Sequence, residues 1–182
     1  RRIEAVTGER AEGVVYVAED AMRSLAEYLN NPQVLQAVKK MLESNESLSR
    51  EVETLRREQV SQMAEKMLAA TPERDGMQLF AVQMKRLPEF VKDLAYTLRA
   101  RSPRLVFVVG SDNGGKPSLT VMLGEEIAAH GVDAGTVVRE AAKLIQGGGG
   151  GQKFFATAGG KNAEGLQAAI DKAVELIKQQ LD

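Results

Sequence analysis

The residues best suited to chemistry in this sequence are five consecutive glycines with a lysine close behind them. The run covers residues 147–151, and Gln152 and Lys153 follow it. Each glycine loses about 0.5–1 kcal/mol more than alanine when the backbone becomes ordered, so an ordered run needs a compensating role. Bare backbone N–H groups suit a close approach to phosphate, carboxylate or another chain. The alternative is a flexible linker or a plain tight turn.

A second glycine pair lies a few residues further along. Gly159 and Gly160 occupy a predicted strand-to-helix turn, and the next two residues lie at the predicted start of the last helix, where the helix dipole favours anions. Residues 141–163 contain three lysines and no acid. We therefore predict a site that binds an anion or a nucleic-acid backbone. Its residues are Gly147, Gly148, Gly149, Gly150, Gly151, Gln152, Lys153, Gly159, Gly160, Lys161 and Asn162.

Other kinds of site are excluded by residue type. The chain has no cysteine and one histidine, which excludes a disulfide, a thiolate zinc site and a multi-histidine metal site within it. His130 precedes Gly131 at the predicted end of a short helix, where a histidine side chain bonds the last carbonyl groups. The glycine run is not a P-loop, because no Lys-Ser or Lys-Thr pair follows it at the required spacing. It is not a dinucleotide fingerprint either, because it follows a predicted helix and precedes a predicted strand.

The overall composition is that of a folded globular protein. Of 182 residues, 43% are hydrophobic and 27% are charged. The net charge is −1, so nucleic-acid binding would have to depend on a local patch and not on bulk charge. No apolar run approaches the roughly 18 residues of a membrane span, and we expect no membrane association.

The chain changes character at Pro72, which two glycines precede and 15 follow. Before it, apolar residues recur at steps of three and four, which predicts one helix from about residue 11 to 29 and another from about 32 to 70. The second stripe changes phase between Leu55 and Val60, which indicates a helical hairpin or a broken coiled coil. Residues 1–6 alternate like the end of a strand.

After Pro72 the pattern predicts a small α/β globule of order β-α-β-β-α-α-β-α. Residues 105–109 form a continuous apolar run, typical of a central strand covered on both faces. Residues 112–115, Asp-Asn-Gly-Gly, predict a hairpin turn. The predicted fold class is α+β. Its predicted segments are a terminal strand of a preceding domain at 1–10, a helical linker at 11–71 and a globular domain at 72–182.

The residues at both ends of the chain resemble one family. Residues 1–8, RRIEAVTG, are similar to the end of the editing domain of bacterial alanyl-tRNA synthetases, and the helical pair resembles the linker that follows it. The glycine run, residues 154–162 (FFATAGGKN) and the amphipathic helix after them resemble the C-terminal domain of these enzymes. That DHHA1-like domain is shared with the DHH phosphoesterases, in which a glycine-rich motif contacts substrate.

The resemblance implies a cytoplasmic C-terminal segment of an alanine–tRNA ligase, a class II synthetase. It implies that this segment binds the elbow of alanine-specific tRNA, links aminoacylation with editing of mischarged tRNA, and is itself non-catalytic. ATP and zinc would belong to upstream domains absent from this chain, so no cofactor is expected here. Many members carry a basic or histidine residue directly after the glycine run, where this chain has Gln152 and then Lys153. Phosphoesterase chemistry is therefore not expected, and Lys153 is the expected phosphate contact.

The sequence also allows a second interpretation, in which the chain serves chiefly for assembly or spacing. The long helices and the near-zero net charge favour an oligomerisation or spacer module, with a homodimer formed through the helical linker or the globular domain. The two readings predict different behaviour in solution, namely salt-dependent tRNA binding in one case and self-association in the other.

Overall fold

The computed structural model describes residues 7–181, so the predicted strand end at residues 1–6 lies outside it. The chain divides into two compact units on either side of the Thr54–Leu55 bond. The elements in chain order are α1 (Glu9–Tyr28), α2 (Val34–Ala70), β1 (Gln78–Met84), α3 (Pro88–Arg101), β2 (Leu105–Asp112), β3 (Pro117–Leu123), α4 (Glu125–Ala129), α5 (Ala134–Ala141), a 3-10 turn (Ala142–Ile145), β4 (Gly148–Gln152), β5 (Phe155–Gly159) and α6 (Leu166–Leu181).

The first unit contains α1 and the beginning of α2, as the apolar spacing predicts. Asn30 ends α1 in the left-handed conformation, with φ of 46°, and the side chain of Asn31 accepts a hydrogen bond from the Gln33 N–H at 2.8 Å. These contacts confirm the predicted break between the two helices. No residue of α1 is buried. Its apolar stripe is therefore uncovered in the described structure.

The second unit is built on a five-stranded sheet with the order β1-β2-β3-β5-β4. β1 runs parallel to β2, and the other neighbouring strands are antiparallel. Strand β2 is buried along nearly its whole length, which confirms the prediction of a doubly covered central strand. Its residues alternate between two apolar layers, because successive side chains of a strand point to opposite faces.

The two faces of the sheet have different covers. Val106 and Val108 lie in a core with residues of α5 and α6. Phe107 lies in the other core with residues of α3 and with Val60 and Ala64 of α2. The mixed α+β fold class with an N-terminal helical part is thereby confirmed. The boundary between residues 71 and 72 remains a prediction, and Leu55–Ala70 lies in the same compact unit as the sheet.

Two local expectations are wrong. The sequence pattern places the glycine run between a helix and a strand, whereas Gly148–Gln152 itself forms strand β4, so the observed order is β-α-β-β-α-α-β-β-α. The last helix begins at Leu166 and not directly after Asn162. The reason lies in the backbone: the N–H groups of Lys161 and Asn162 both donate to the carbonyl oxygen of Ile145, at 2.9 and 3.0 Å. This segment docks on the 3-10 turn before the helix starts.

Two turn residues have the structural roles that their positions predict. Asp112 accepts a hydrogen bond from the Gly115 N–H at 2.9 Å within the β2–β3 turn. His130 caps the C-terminal end of α4, and its Nδ1 lies 2.7 Å from the carbonyl oxygen of Glu126. Among the described helices, none is both long and apolar enough to cross a membrane.

Candidate anion-binding site

Strand β4 lies at the edge of the sheet and consists almost entirely of exposed glycine. Alternate glycines are required by packing. A Cβ added to Gly147, Gly149 or Gly151 would lie 2.1–2.3 Å from a backbone oxygen of β5, which is far inside van der Waals contact. The two strands are therefore so close that no side chain fits at these positions.

The intervening glycines have no such requirement. A Cβ added to Gly148 or Gly150 would meet no other atom within 4 Å. Gly148 is exposed and Gly150 is half-buried, so both leave bare backbone accessible beside solvent. The packing of the protein explains one half of the glycine run, and a close approach by another molecule is the role left for the other half.

An open cleft of about 750 Å³ lies at one end of the β4–β5 hairpin. It is bounded by the β2–β3 turn, the start of β4, the end of β5 and the first residue of α3. No acidic side chain among the described residues lines it. The lining residues are Pro88, Asn113, Lys116, Pro117, Ser118, Gln146, Gly147, Gly148, Gly159, Gly160 and Lys161.

The charge of the cleft comes from two exposed lysines. Within residues 7–181, the side chains of Lys116 and Lys161 form neither a hydrogen bond nor an ion pair. Lys143, another lysine of the acid-free segment 141–163, is already neutralised, because it is paired with Glu140 at 2.6 Å. The cleft therefore combines positive charge with accessible glycine backbone, the pairing that anions bind.

The structure brings only part of the predicted site together. Of the predicted residues, Lys161 and four glycines line the cleft, namely Gly147, Gly148, Gly159 and Gly160. Lys153 lies in the two-residue turn at the opposite end of the β4–β5 hairpin. At about 3.4 Å per residue, Lys153 is roughly 17 Å from Gly148. Asn162 supports the fold, because its side-chain amide donates to the carbonyl oxygen of Leu144 at 3.3 Å. The predicted residues thus fall into two separate places, the cleft and the tip of the β4–β5 hairpin.

The aromatic pair beside Lys153 is half-buried. The guanidinium of Arg99 stacks on the Phe154 ring at 4.4 Å from its centroid, and the Tyr96 and Phe155 ring centroids are 5.4 Å apart. Both rings pack against the core on the α3 side of the sheet. These contacts hold the hairpin tip in place.

Sequence reasoning missed Lys116 and Asn113 as residues of the site. The motif Asp-Asn-Gly-Gly does predict the turn that carries them. What the sequence did not show is that β3 pairs with β5, which places this turn beside Gly160. No group of three or more His, Asp or Glu side chains within residues 7–181 is arranged to hold a metal ion.

Comparisons with known proteins agree with this architecture. The model of the DHHA1 domain family matches residues 76–179. The alanine–tRNA ligase of Bacteroides thetaiotaomicron is 44% identical over 178 residues, which are 97% of this chain and 20% of that protein. The ligase of Porphyromonas gingivalis is 42% identical over 175 residues, or 94% of this chain. The chain thus spans about one fifth of the length of these curated relatives.

A solved structure shows the same fold. The crystal structure of the C-Ala domain from Aquifex aeolicus alanyl-tRNA synthetase matches with a TM-score of 0.51 and 30% identity. The match covers 61% of this chain and 96% of that one. The family model covers more than half of the chain, and the glycine strand and its cleft lie inside the matched residues. The chain belongs to the DHHA1 domain family, in the form found in the C-terminal domain of alanine–tRNA ligases.

Proposed function

We propose that this chain binds tRNA, with the cleft and the glycine strand against the sugar-phosphate backbone. The main observation behind the proposal is the cleft itself. In it, Lys116 and Lys161 lie beside bare glycine backbone and have no acidic partner among residues 7–181. In a full-length ligase the chain would hold the outer corner of alanine-specific tRNA and link aminoacylation with editing. Such binding reads shape and backbone, so it should depend on salt.

Charge on other surfaces of the second unit supports this placement. Three arginines of this unit that could also attract phosphate are already paired with glutamates. Arg99 is paired with Glu125 and Arg101 with Glu65, at 3.6 and 3.4 Å. Arg104 is paired with both Glu73 and Glu126. These pairs reduce the attraction of the three arginines for phosphate, whereas the cleft lysines have no such partner within the described residues.

The proposal assigns a binding role and no reaction to this chain. The matched relatives are about five times as long, and we assign ATP and zinc to the remainder of such a protein. We also propose that the chain acts in the cytoplasm, where tRNA is aminoacylated.

Removal of two lysines is expected to weaken tRNA binding without changing the fold. Lys153→Ala combined with Lys161→Ala should reduce the slope of log K against log salt by roughly one to two units, since each lysine neutralises about one phosphate. Fluorescence anisotropy with labelled tRNA at several salt concentrations measures the slope. Lys143→Ala is the matched control, because Glu140 already neutralises that lysine. An unchanged affinity and slope in the double variant would move the binding face away from the hairpin.

A second candidate function is self-association through the helices. On one stripe of α1, Val14, Val17 and Tyr28 are 60%, 72% and 88% exposed. Leu35 and Leu42 of α2 are also largely exposed. An exposed apolar stripe of this length on a helix is typical of an interface with another helix. A homodimer through the helical part would cover it.

A charge on this stripe should separate a dimer into monomers. Val17→Lys would place an ammonium group in the proposed interface, where burial without a partner is costly. Light scattering over a range of protein concentrations should show twice the chain mass for the wild type and the single mass for the variant. Glu19→Lys, on the opposite face of α1, is the control and should leave the mass unchanged. A monomeric wild type at the highest concentration would refute the dimer.

A further inference from the structure

We propose that Lys116 and Lys161 hold the same RNA phosphate between them, so that the β2–β3 turn forms the second half of the binding site. The inference rests on the proposed tRNA-binding function and adds a residue and a geometry to it. Lys116 lies about 30 residues before the glycine run and is separated from it by two helices. Only the fold brings it to the cleft.

The chain neighbours of the two lysines are joined by a backbone hydrogen bond. The Gly160 N–H donates to the carbonyl oxygen of Pro117 at 2.8 Å. Pro117 directly follows Lys116, and Gly160 directly precedes Lys161. The Cα atoms of the two lysines are therefore held on neighbouring segments at the rim of one cleft, and their side chains start from fixed positions.

The turn that carries Lys116 is also tied down on its other side. Asp112 accepts from the Gly115 N–H, and the Asn113 N–H donates to the carbonyl oxygen of Lys116 at 3.4 Å. The Asn113 side chain donates to the carbonyl oxygen of Arg86 at 3.2 Å, which links the turn to the segment before α3. Gly114 and Gly115 adopt φ of 68° and 81°, a conformation that other residues rarely take. A prearranged turn loses little further freedom when it binds a ligand.

The chemistry of the cleft suits an anion, which in RNA is a phosphate. Two ammonium groups without a carboxylate between them repel each other, and an anion placed between them removes that repulsion. The exposed backbone of Gly148 and the rings of Pro88 and Pro117 leave room for the adjoining sugar. Lys153, which is roughly 17 Å from Gly148 at the other end of β4, is too far to share this phosphate.

The test compares four lysine variants in the same tRNA-binding assay. Lys116→Ala should weaken binding about tenfold, as should Lys161→Ala. Each single variant should change the salt slope by less than about one unit, because the remaining lysine still neutralises the shared phosphate, and only the double variant should lose about one unit. The Lys116→Ala, Lys161→Ala double variant should lose clearly less than the product of the two single losses, because both lysines contact one phosphate. Lys116→Arg keeps the charge and should retain most of the affinity.

The control variant is Lys178→Ala, which removes an exposed lysine of α6 beside the opposite end of the sheet. Thermal melts check that each variant is folded. If the wild type binds tRNA but Lys116→Ala matches Lys178→Ala, this inference is wrong and the proposed function stands. Two losses that multiply in the double variant would also overturn it, since they indicate separate phosphates. If the wild type does not bind tRNA at all, both proposals are wrong.

Discussion

Residues 55–182 produced alone are expected to unfold in one cooperative transition, and residues 77–182 are expected to lose about 4–8 kcal/mol of that stability. The total for a domain of this size is typically about 5–15 kcal/mol. The shorter chain should therefore be mostly unfolded or aggregated, although it contains every strand of the described sheet.

The reason is the part of α2 that lies against the sheet. Val60 and Ala64 are buried in the same core as Phe107 of β2. Three half-buried side chains of α2, Met63, Met67 and Leu68, pack against this core. Burial of one apolar side chain of this size contributes about 1.5–3 kcal/mol, and the shorter chain would expose the surface that these residues cover.

Polar contacts across the same boundary fix the segment between α2 and β1. The Gln78 side-chain amide donates to the carbonyl oxygen of Thr71 at 2.6 Å. Arg104 bonds Glu126 and Glu73 at 2.6 and 2.5 Å, and these two carboxylates raise the pKa of its guanidinium. Arg104 stays charged throughout the accessible pH range, so these contacts serve to position the segment.

Urea unfolding followed by circular dichroism measures the difference. Residues 55–182 should show a single transition with a midpoint close to that of the second unit in the whole chain, whereas 77–182 should show a much lower midpoint or none. Val60→Ala in residues 55–182 is an intermediate case and should lower the midpoint modestly. Equal midpoints for the two lengths would mean that α2 adds nothing to the sheet domain.

The boundary of the second unit also explains a feature of the sequence. The apolar stripe of α2 changes phase between Leu55 and Val60, a change that in the sequence indicates a helical hairpin or a broken coiled coil. The change coincides with the beginning of the second compact unit, where the helix starts to pack on a sheet. The periodicity indicates that one face of the helix packs against an apolar surface. It does not identify that surface as the sheet, because the sheet residues are distant in sequence.

Elements with strong local signals were predictable, and those decided by distant neighbours were not. Strand β2 and the turn after it follow from a continuous apolar run and from Asp-Asn-Gly-Gly. Strand β4 could not be predicted, because glycine offers no side-chain pattern and has a low preference for strands. It is a strand because β5 lies beside it. The contribution of Lys116 to the cleft depends on the same pairing order.

Neighbouring glycines of β4 are expected to respond in opposite ways to the same substitution. Gly149→Ala should lower stability by about 1–3 kcal/mol, because its Cβ would lie 2.1 Å from the carbonyl oxygen of Thr157 and 2.4 Å from the Cα of Ala158. Those are backbone atoms, so no side-chain rotation relieves the clash, and β4 must separate from β5. The loss should lower the melting temperature by about 3–10 °C.

Gly148→Ala is the matched variant one residue away, with the same added methyl group. Nothing lies within 4 Å of its Cβ, and its φ is outside the left-handed region, so stability should be unchanged or higher by up to about 1 kcal/mol. Gly148 lines the cleft, however, and the methyl group would project where the proposed phosphate and sugar approach. We therefore expect tRNA affinity to fall several-fold while the melting temperature is retained.

The pair separates the two roles of the glycine run, because stability and binding change in different variants. Thermal melts and anisotropy titrations on both proteins supply the four values needed. Loss of stability without a comparable loss of affinity in folded Gly149→Ala, and the reverse in Gly148→Ala, is the expected result. If Gly148→Ala binds tRNA as well as the wild type, bare backbone at that position is not needed for the approach of RNA. If Gly149→Ala melts at the wild-type temperature, β4 can move away from β5 at little cost, and close strand contact does not account for the alternate glycines.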